Sequence, residues 1–225
     1  NIKIIYSNYL NYENKENKNE KKYDLIIGNP PFFVMKKKEV NKEFYKYFDG
    51  RPNIFILFII KSLSLLNNNG ILAFVLPKSF TNCLYYDKTR KYIAQNFNIL
   101  NIIDCIDEYI ETKQETIVLI LKKGENKQNK NYVYGKGGYT FFGSEEKIKT
   151  ITELYEKSTT LNEMGFKVNV GNVVWNQNKD SLTDDETKTR LIYSSDISNN
   201  KLNYKKYKNE KKRILLIKME KQNHY

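Results

Sequence analysis

Asn29, Pro30, Pro31 and Phe32 form a short run whose residue types could do chemistry together. They follow Tyr23–Ile27 (YDLII), which reads as a short buried strand with β-branched Ile26 and Ile27 at its end. Each proline lacks an N–H and fixes φ, so the segment can neither extend a strand ladder nor start a helix freely. Asn29 therefore stands on a stiff loop at the carboxyl end of a core strand, which is where open α/β sheets bind ligands. Its side chain offers an acceptor oxygen and two N–H donors, and Phe32 and Phe33 stand beside it. This is a candidate active site for hydrogen-bonding chemistry, with a plain Pro-Pro turn closing a strand as the structural alternative.

The elements that must position this loop can be taken in order. Ile2–Tyr6 (IKIIY) reads as a strand ended by Ser7–Leu10, and Glu13–Lys22 (ENKENKNEKK) as a charged, solvated loop. Val34–Asp49 interleaves Lys36, Lys37 and Lys38 with Phe44, Tyr45, Tyr47 and Phe48. That pattern fits either phosphate contact with base stacking or an amphipathic helix with a lysine face. Asn53–Leu66 predicts a helix, apolar nearly all round and so pressed against a sheet, stopped at Asn67–Gly70. Ile71–Leu76 (ILAFVL) predicts a buried strand, giving an αβ unit of a parallel sheet. Tyr85–Asn96 reads as a helix, and Ile99–Cys105 and Thr116–Lys122 as strands. The connector between those two strands is too short for a crossover helix, so the pair should be antiparallel.

Beyond the polar run Gly124–Lys130, the stretch Tyr132–Gly143 (YVYGKGGYTFFG) predicts a hairpin. It has glycines but no Gly-Lys-Ser/Thr, so it is not read as a phosphate loop. Glu145–Lys157 predicts an amphipathic helix with Ile148, Ile151, Leu154 and Tyr155 on one side. The organisation expected is a partial catalytic domain over 1–124, a connector with hairpin and helix over 125–165, and a further domain starting at 166.

The 225 residues carry 38 basic against 26 acidic side chains, a formal net charge of +12. Such a surplus suits a polyanion such as nucleic acid, although lysine, asparagine, isoleucine and tyrosine also have AT-rich codons. Cys83 and Cys105 lack a CxxC partner and lie in or beside apolar segments, as buried thiols of a reducing, intracellular compartment would. His224 is the single histidine, which argues against a zinc site or a histidine-based triad. No apolar run has the length of a membrane span, no signal peptide opens the chain, and the Asn start and polar end look like cuts in a longer protein.

Asn-Pro-Pro-aromatic after a strand of the form Asp-x-Ile-Ile-x resembles motif IV of the amino-methyltransferases, most closely the DNA adenine-N6 methyltransferases of restriction–modification systems. NNGILAFVLPKSF resembles that family's motif VI, and Asn53-Ile54-Phe55-x-x-Phe58 its motif V. The resemblance implies an α/β fold: the C-terminal part of a Rossmann-like S-adenosylmethionine-dependent methyltransferase sheet with antiparallel final strands. It implies S-adenosyl-L-methionine as cofactor and double-stranded DNA with a flipped adenine as partner, with no metal.

By the same resemblance, Asn29, Pro30, Pro31 and Phe32 are catalytic, and Asn8, Tyr9, Asn29 and Phe58 contact the cofactor. Asn8 departs from the family's acidic residue, and an uncharged amide should bind the adenine amino group less strongly. Phe32 and Tyr109 would stack on the two faces of the target base. The sequence from Phe166 resembles the start of a target-recognition domain, with Trp175, Asn176, Gln177 and Lys179 as its distinctive residues. The family's glycine-rich cofactor motif and its ribose-binding acid are absent, so the fragment alone should be inactive. Other readings of the same residues are a catalytically degenerate DNA-binding module, or a methyltransferase acting on RNA or protein.

Overall fold

The computed structural model describes residues 2–12, 15–16, 19–20, 22–105, 114–124, 129–169, 173, 178–183, 185, 187–204 and 215–216. They fall into two compact units, Asn1–Thr159 and Thr160–Tyr225. In the first unit the order is β1 (Lys15–Glu16), β2 (Asn19–Glu20), β3 (Tyr23–Gly28), α1 (Ile54–Leu65) and β4 (Leu66–Pro77). There follow α2 (Asp87–Asn96), β5 (Phe97–Cys105), β6 (Thr116–Lys123), β7 (Val133–Lys136), β8 (Tyr139–Phe142) and α3 (Glu145–Glu156).

α1 forms because Asn53 caps it, its side-chain oxygen accepting the Phe55 N–H at 3.4 Å. The helix is rich in isoleucine, a middling helix former, so burial rather than propensity holds it. Phe55, Ile56 and Ile59 are fully buried, and each such side chain contributes about 2 kcal/mol of transfer free energy. Its one polar side chain in that interior, Ser62, is satisfied by the Tyr9 hydroxyl at 2.7 Å.

The main sheet runs β3–β4–β6–β5. β3 lies parallel to β4, and β6 lies antiparallel to both β4 and β5, so the expected antiparallel end of a parallel sheet is present. The chain is thus a mixed α/β protein. β4 starts earlier than the apolar run predicts, because Tyr23 pairs with Leu66 before the register shifts. Gly70 is needed there: a Cβ on it would lie 2.8 Å from the Tyr23 carbonyl oxygen.

Leu72, Phe74, Leu76, Ile102, Ile117, Leu119 and Leu121 pack with α1 and with Ile93 of α2 in one core. The register places Leu25, Ile27, Ile71, Ala73, Val75, Val118 and Ile120 on the other face. There Leu25 is 58 % and Ile27 71 % exposed. β7 and β8 form the expected hairpin, with Gly137 and Gly138 at positive φ in its two-residue turn. Phe142 belongs to the core, so the hairpin is packed into the first unit.

A buried cation ties these parts together. Arg90 on α2 is 1 % exposed. It donates to the carbonyls of Thr140 (2.5 Å), Phe80 (2.9 Å) and Cys83 (2.8 Å), and to the Asp87 carboxylate (3.3 Å). Asp87 in turn accepts the Thr140 N–H at 2.8 Å and pairs with Lys91 at 2.8 Å.

Five expectations are corrected. Tyr23–Ile27 is a strand but not a buried one: it ends the four-stranded sheet, and the face that carries Leu25 and Ile27 is open among the described residues. Ile2–Tyr6 is not a strand: it has no ladder partner among the described residues, and Ile2, Ile4 and Tyr6 are almost fully exposed. An unpaired segment gains neither ladder bonds nor burial. Within Glu13–Lys22, the two-residue strands β1 and β2 pair antiparallel. Leu154 on α3 is 63 % exposed, although Ile148 of the same predicted face is buried. Cys83 and Cys105 are free but half-buried rather than buried.

In the second unit, β9 (Leu182–Thr183), β10 (Thr189–Arg190) and β13 (Leu215–Leu216) form one small sheet. β11 (Ile197–Ser198) and β12 (Lys201–Leu202) form a second pairing. The Arg190 guanidinium lies 3.6 Å from the centroid of the Tyr204 ring.

Burial raises the Asp87 pKa, but the Lys91 hydrogen bond, the Thr140 N–H and the charges on Lys91 and Arg90 outweigh it and hold the carboxyl below its ordinary value. A depressed folded-state pKa stabilises above the ordinary value and is lost as pH falls through the folded one. Asp87→Asn should therefore destabilise the first unit by about 3 kcal/mol at pH 7. Urea titrations should show the gap between wild type and variant narrowing below about pH 4.

Candidate active site

β3 delivers Asn29 to the carboxyl end of the sheet. Gly28, the last residue of the strand, pairs with Phe74, and a Cβ there would meet the Phe74 ring at 3.2 Å. Asn29 and Pro31 are exposed, Pro30 is buried between them, and Phe32 is half-buried. The Phe32 ring meets Phe55 of α1 edge-on, at 6.1 Å and 87°. Phe33 is 52 % exposed and is the more open aromatic beside Asn29.

The loop is pinned directly after its prolines. Val34 forms an antiparallel bridge with Asn53. The Ile54 N–H donates to the Phe33 carbonyl at 2.9 Å, and the Met35 N–H to the Pro52 carbonyl at 2.8 Å. Asn53 thus caps α1 and fixes the loop at once. Burial raises the Tyr86 pKa, with the nearby Cys83 adding to the rise and Asn53 opposing it.

Two of the residues expected at the cofactor come together. The rings of Tyr9 and Phe58 lie 4.9 Å apart at 32°. Burial raises the Tyr9 pKa, and the Ser62 bond partly offsets it. Lys61 donates to the Leu10 carbonyl at 2.8 Å and holds the segment on α1. Asn8 is exposed, and its side-chain oxygen accepts the Leu10 N–H at 3.0 Å, capping the turn Tyr9–Asn11. Phe55 and Phe58 are three residues apart on α1, roughly 4.5 Å along its axis. One helix therefore carries the contact for Phe32 and the contact for Tyr9.

The segment after the loop folds as two 3-10 turns, Lys37–Glu39 and Lys42–Tyr47. Its aromatics are spent on structure: Val40, Phe48 and Leu57 form a small satellite core with Phe44 and Tyr45 packed against it. Lys37 sits over the Tyr45 ring at 4.9 Å and Lys46 over Tyr47 at 5.0 Å. Lys36, Lys38 and Lys42 are exposed. The segment is therefore not the amphipathic helix that the sequence left open as one of its two readings.

Tyr109, Trp175, Asn176 and Gln177 lie outside the described residues. Lys179 starts the turn Lys179–Ser181 in the second unit. Among the described residues no helix is long and apolar enough to cross a membrane. Sequence reasoning missed Arg90 and the bridge from Asn53 to Val34. Nothing local signalled either one.

Residues 2–110 match the family profile described as Eco57I restriction-modification methylase. The strand-end Asn-Pro-Pro-Phe lies inside the matched stretch. Curated relatives include Type II methyltransferase M.AccI of Acinetobacter calcoaceticus, 28 % identical over 135 residues, covering 56 % of this chain and 24 % of that protein. Modification methylase CviBIII of Paramecium bursaria Chlorella virus NC1A is 31 % identical over 140 residues, covering 57 % of this chain and 36 % of that one. The chain thus matches about a quarter to a third of the length of these relatives. Among solved structures, the type I restriction-modification system methyltransferase subunit from Streptococcus thermophilus aligns with a TM-score of 0.41 and 20 % identity, over 63 % of this chain and 33 % of that one.

Asn53→Ala would remove the helix cap. It should cost about 1 kcal/mol. Asn53→Asp, which keeps a capping oxygen, should recover at least half of that loss in parallel denaturation curves.

Proposed function

We propose that this chain is the target-base half of an S-adenosyl-L-methionine-dependent DNA methyltransferase that modifies the N6 amino group of adenine. The observation that carries the reading is the exposed carboxamide of Asn29, on a double-proline loop fixed to α1 at the carboxyl end of β3. The match of residues 2–110 to a restriction-modification methylase family supports methyl transfer to DNA.

The adenine amino nitrogen is a poor nucleophile because its lone pair is delocalised into the ring. The Asn29 side-chain oxygen and the Pro30 carbonyl can each accept one of its N–H bonds. Two fixed acceptors turn the nitrogen towards tetrahedral and leave its lone pair directed away from them. The cofactor supplies the methyl group when bound. A base read this way must leave the duplex. Phe32 would stack against it, for about 1–3 kcal/mol, with Tyr109 as its counterpart on the other face.

Tyr9 and Phe58 fit the adenine end of the cofactor, as adjacent aromatic rings, one on the turn Tyr9–Asn11 and one on α1. Asn8 fits it less well, since its side-chain oxygen is engaged in a cap. The open apolar row through Leu25 and Ile27 supports a sheet that is completed by chain outside these 225 residues. In this reading the 225 residues alone do not turn over. The stretch from Phe166, inside the second unit, would begin target recognition, with Trp175, Asn176, Gln177 and Lys179 towards the bases.

The test uses the intact reading frame, unmethylated DNA and S-adenosyl-L-methionine, with nucleosides quantified by mass spectrometry. N6-methyladenine should form with wild type, fall at least about a hundredfold with Asn29→Ala, and not form with the 225 residues alone. N4-methylcytosine instead would refute the adenine assignment. DNA binding without product would favour the degenerate module, the reading that the capped Asn8 supports.

A further inference from the structure

Resting on that functional reading, we propose that Arg90 is a positioning residue for the Asn29–Phe33 loop, although it lies on a different helix and touches none of the loop's residues. Two separate routes lead from its guanidinium to the loop.

The first runs through rings. Arg90 holds the Phe80 carbonyl at 2.9 Å in the turn that follows β4. The Phe80 ring packs on Phe55 at 5.9 Å and 86°, and Phe55 packs on Phe32 at 6.1 Å and 87°. Phe80 also meets Phe142 of the hairpin at 6.0 Å. Arg90 itself fixes that hairpin through the Thr140 carbonyl. Rings packed edge to face cannot slide far without opening voids, so the position of Phe80 constrains that of Phe32.

The second route begins with hydrogen bonds. The Cys83 carbonyl accepts from Arg90 at 2.8 Å and from the Tyr86 N–H at 3.1 Å. The Tyr86 ring lies 5.0 Å from Phe55, whose N–H the Asn53 side chain accepts, and the Asn53 backbone bridges Val34. Both routes therefore end on the same short stretch, one through Phe80 and one through Tyr86.

Arginine suits this place because a planar fork with five donors can serve several fixed acceptors at once. Lysine would keep the charge beside Asp87 but lack the fork. Arg90→Lys should therefore leave the fold and the buried charge pair in place while releasing the Phe80 and Cys83 carbonyls.

The experiment compares wild type, Arg90→Lys and Tyr86→Leu in the intact protein. Tyr86→Leu removes the ring that links the Cys83 turn to Phe55 and spares the buried cation, so it reports even where Arg90→Lys folds poorly. The first readout is hydrogen exchange at the Met35 and Ile54 amides, which depends on no activity. Both should exchange at least fivefold faster in Arg90→Lys, and faster in Tyr86→Leu, with the amides of β4 and β6 unchanged. The second readout is the single-turnover methylation rate per folded molecule. It should fall about tenfold in Arg90→Lys, with the DNA KM within twofold of wild type. Exchange enhanced only in the hairpin and α2, with Met35 and Ile54 unchanged in both variants, would overturn the proposal and leave Arg90 a local structural residue. A wild type that transfers no methyl group would defeat the functional reading instead, and the exchange result would still decide the coupling.

Discussion

The pinning of a double-proline loop to the start of α1 is the constraint on which the first unit depends. Pro30 and Pro31 have no N–H to donate, so the loop cannot fasten itself at the point where it leaves the sheet. It is fastened two residues later, by Phe33, Val34 and Met35 against Pro52, Asn53 and Ile54. That places two demands on Asn53, which must cap a helix and accept a strand-like neighbour, and its extended backbone meets both. The outcome is a polar side chain, Asn29, exposed on a stiff loop above a buried proline and a half-buried phenylalanine.

α1 turns that local constraint into a wider one. Being apolar nearly all round, it is buried between the sheet and the segments that flank β3. Phe55 faces Phe32, and Phe58 faces Tyr9 one turn further on. Methyl transfer requires a target group and a methyl donor held at a fixed separation. Under the proposed function, a single rigid helix with Phe55 against Phe32 and Phe58 against Tyr9 would set it. The aromatics after the loop show the reverse lesson: Phe48 and its neighbours support the fold, and the exposed lysines remain available to a polyanion.

Much of this was legible in the sequence because it is written locally. Asn-Pro-Pro-Phe after Tyr23–Ile27 can hardly be anything but a stiff strand-end loop. The cap at Asn53, the antiparallel pair β5–β6 and the Gly137–Gly138 turn each follow from a few adjacent residues. What was not legible depends on partners far along the chain. Arg90 reaches Thr140 across fifty residues, and no pattern around Arg90 marks it as buried. Ile2–Tyr6 has the composition of a strand, but strands exist only with a neighbour, and none pairs with it among the described residues. Leu154 fits the helical period of α3 and is nonetheless exposed, because packing covers that helix only around Ile148.

The most direct measurement is a crystal structure of the intact protein with its DNA and a non-reactive analogue of S-adenosyl-L-methionine. The account predicts an extruded adenine whose amino nitrogen lies about 3 Å from both the Asn29 side-chain oxygen and the Pro30 carbonyl, with Phe32 against its face. An adenine that remains stacked in the duplex, or whose amino nitrogen lies beyond hydrogen-bond reach of Asn29, would contradict it.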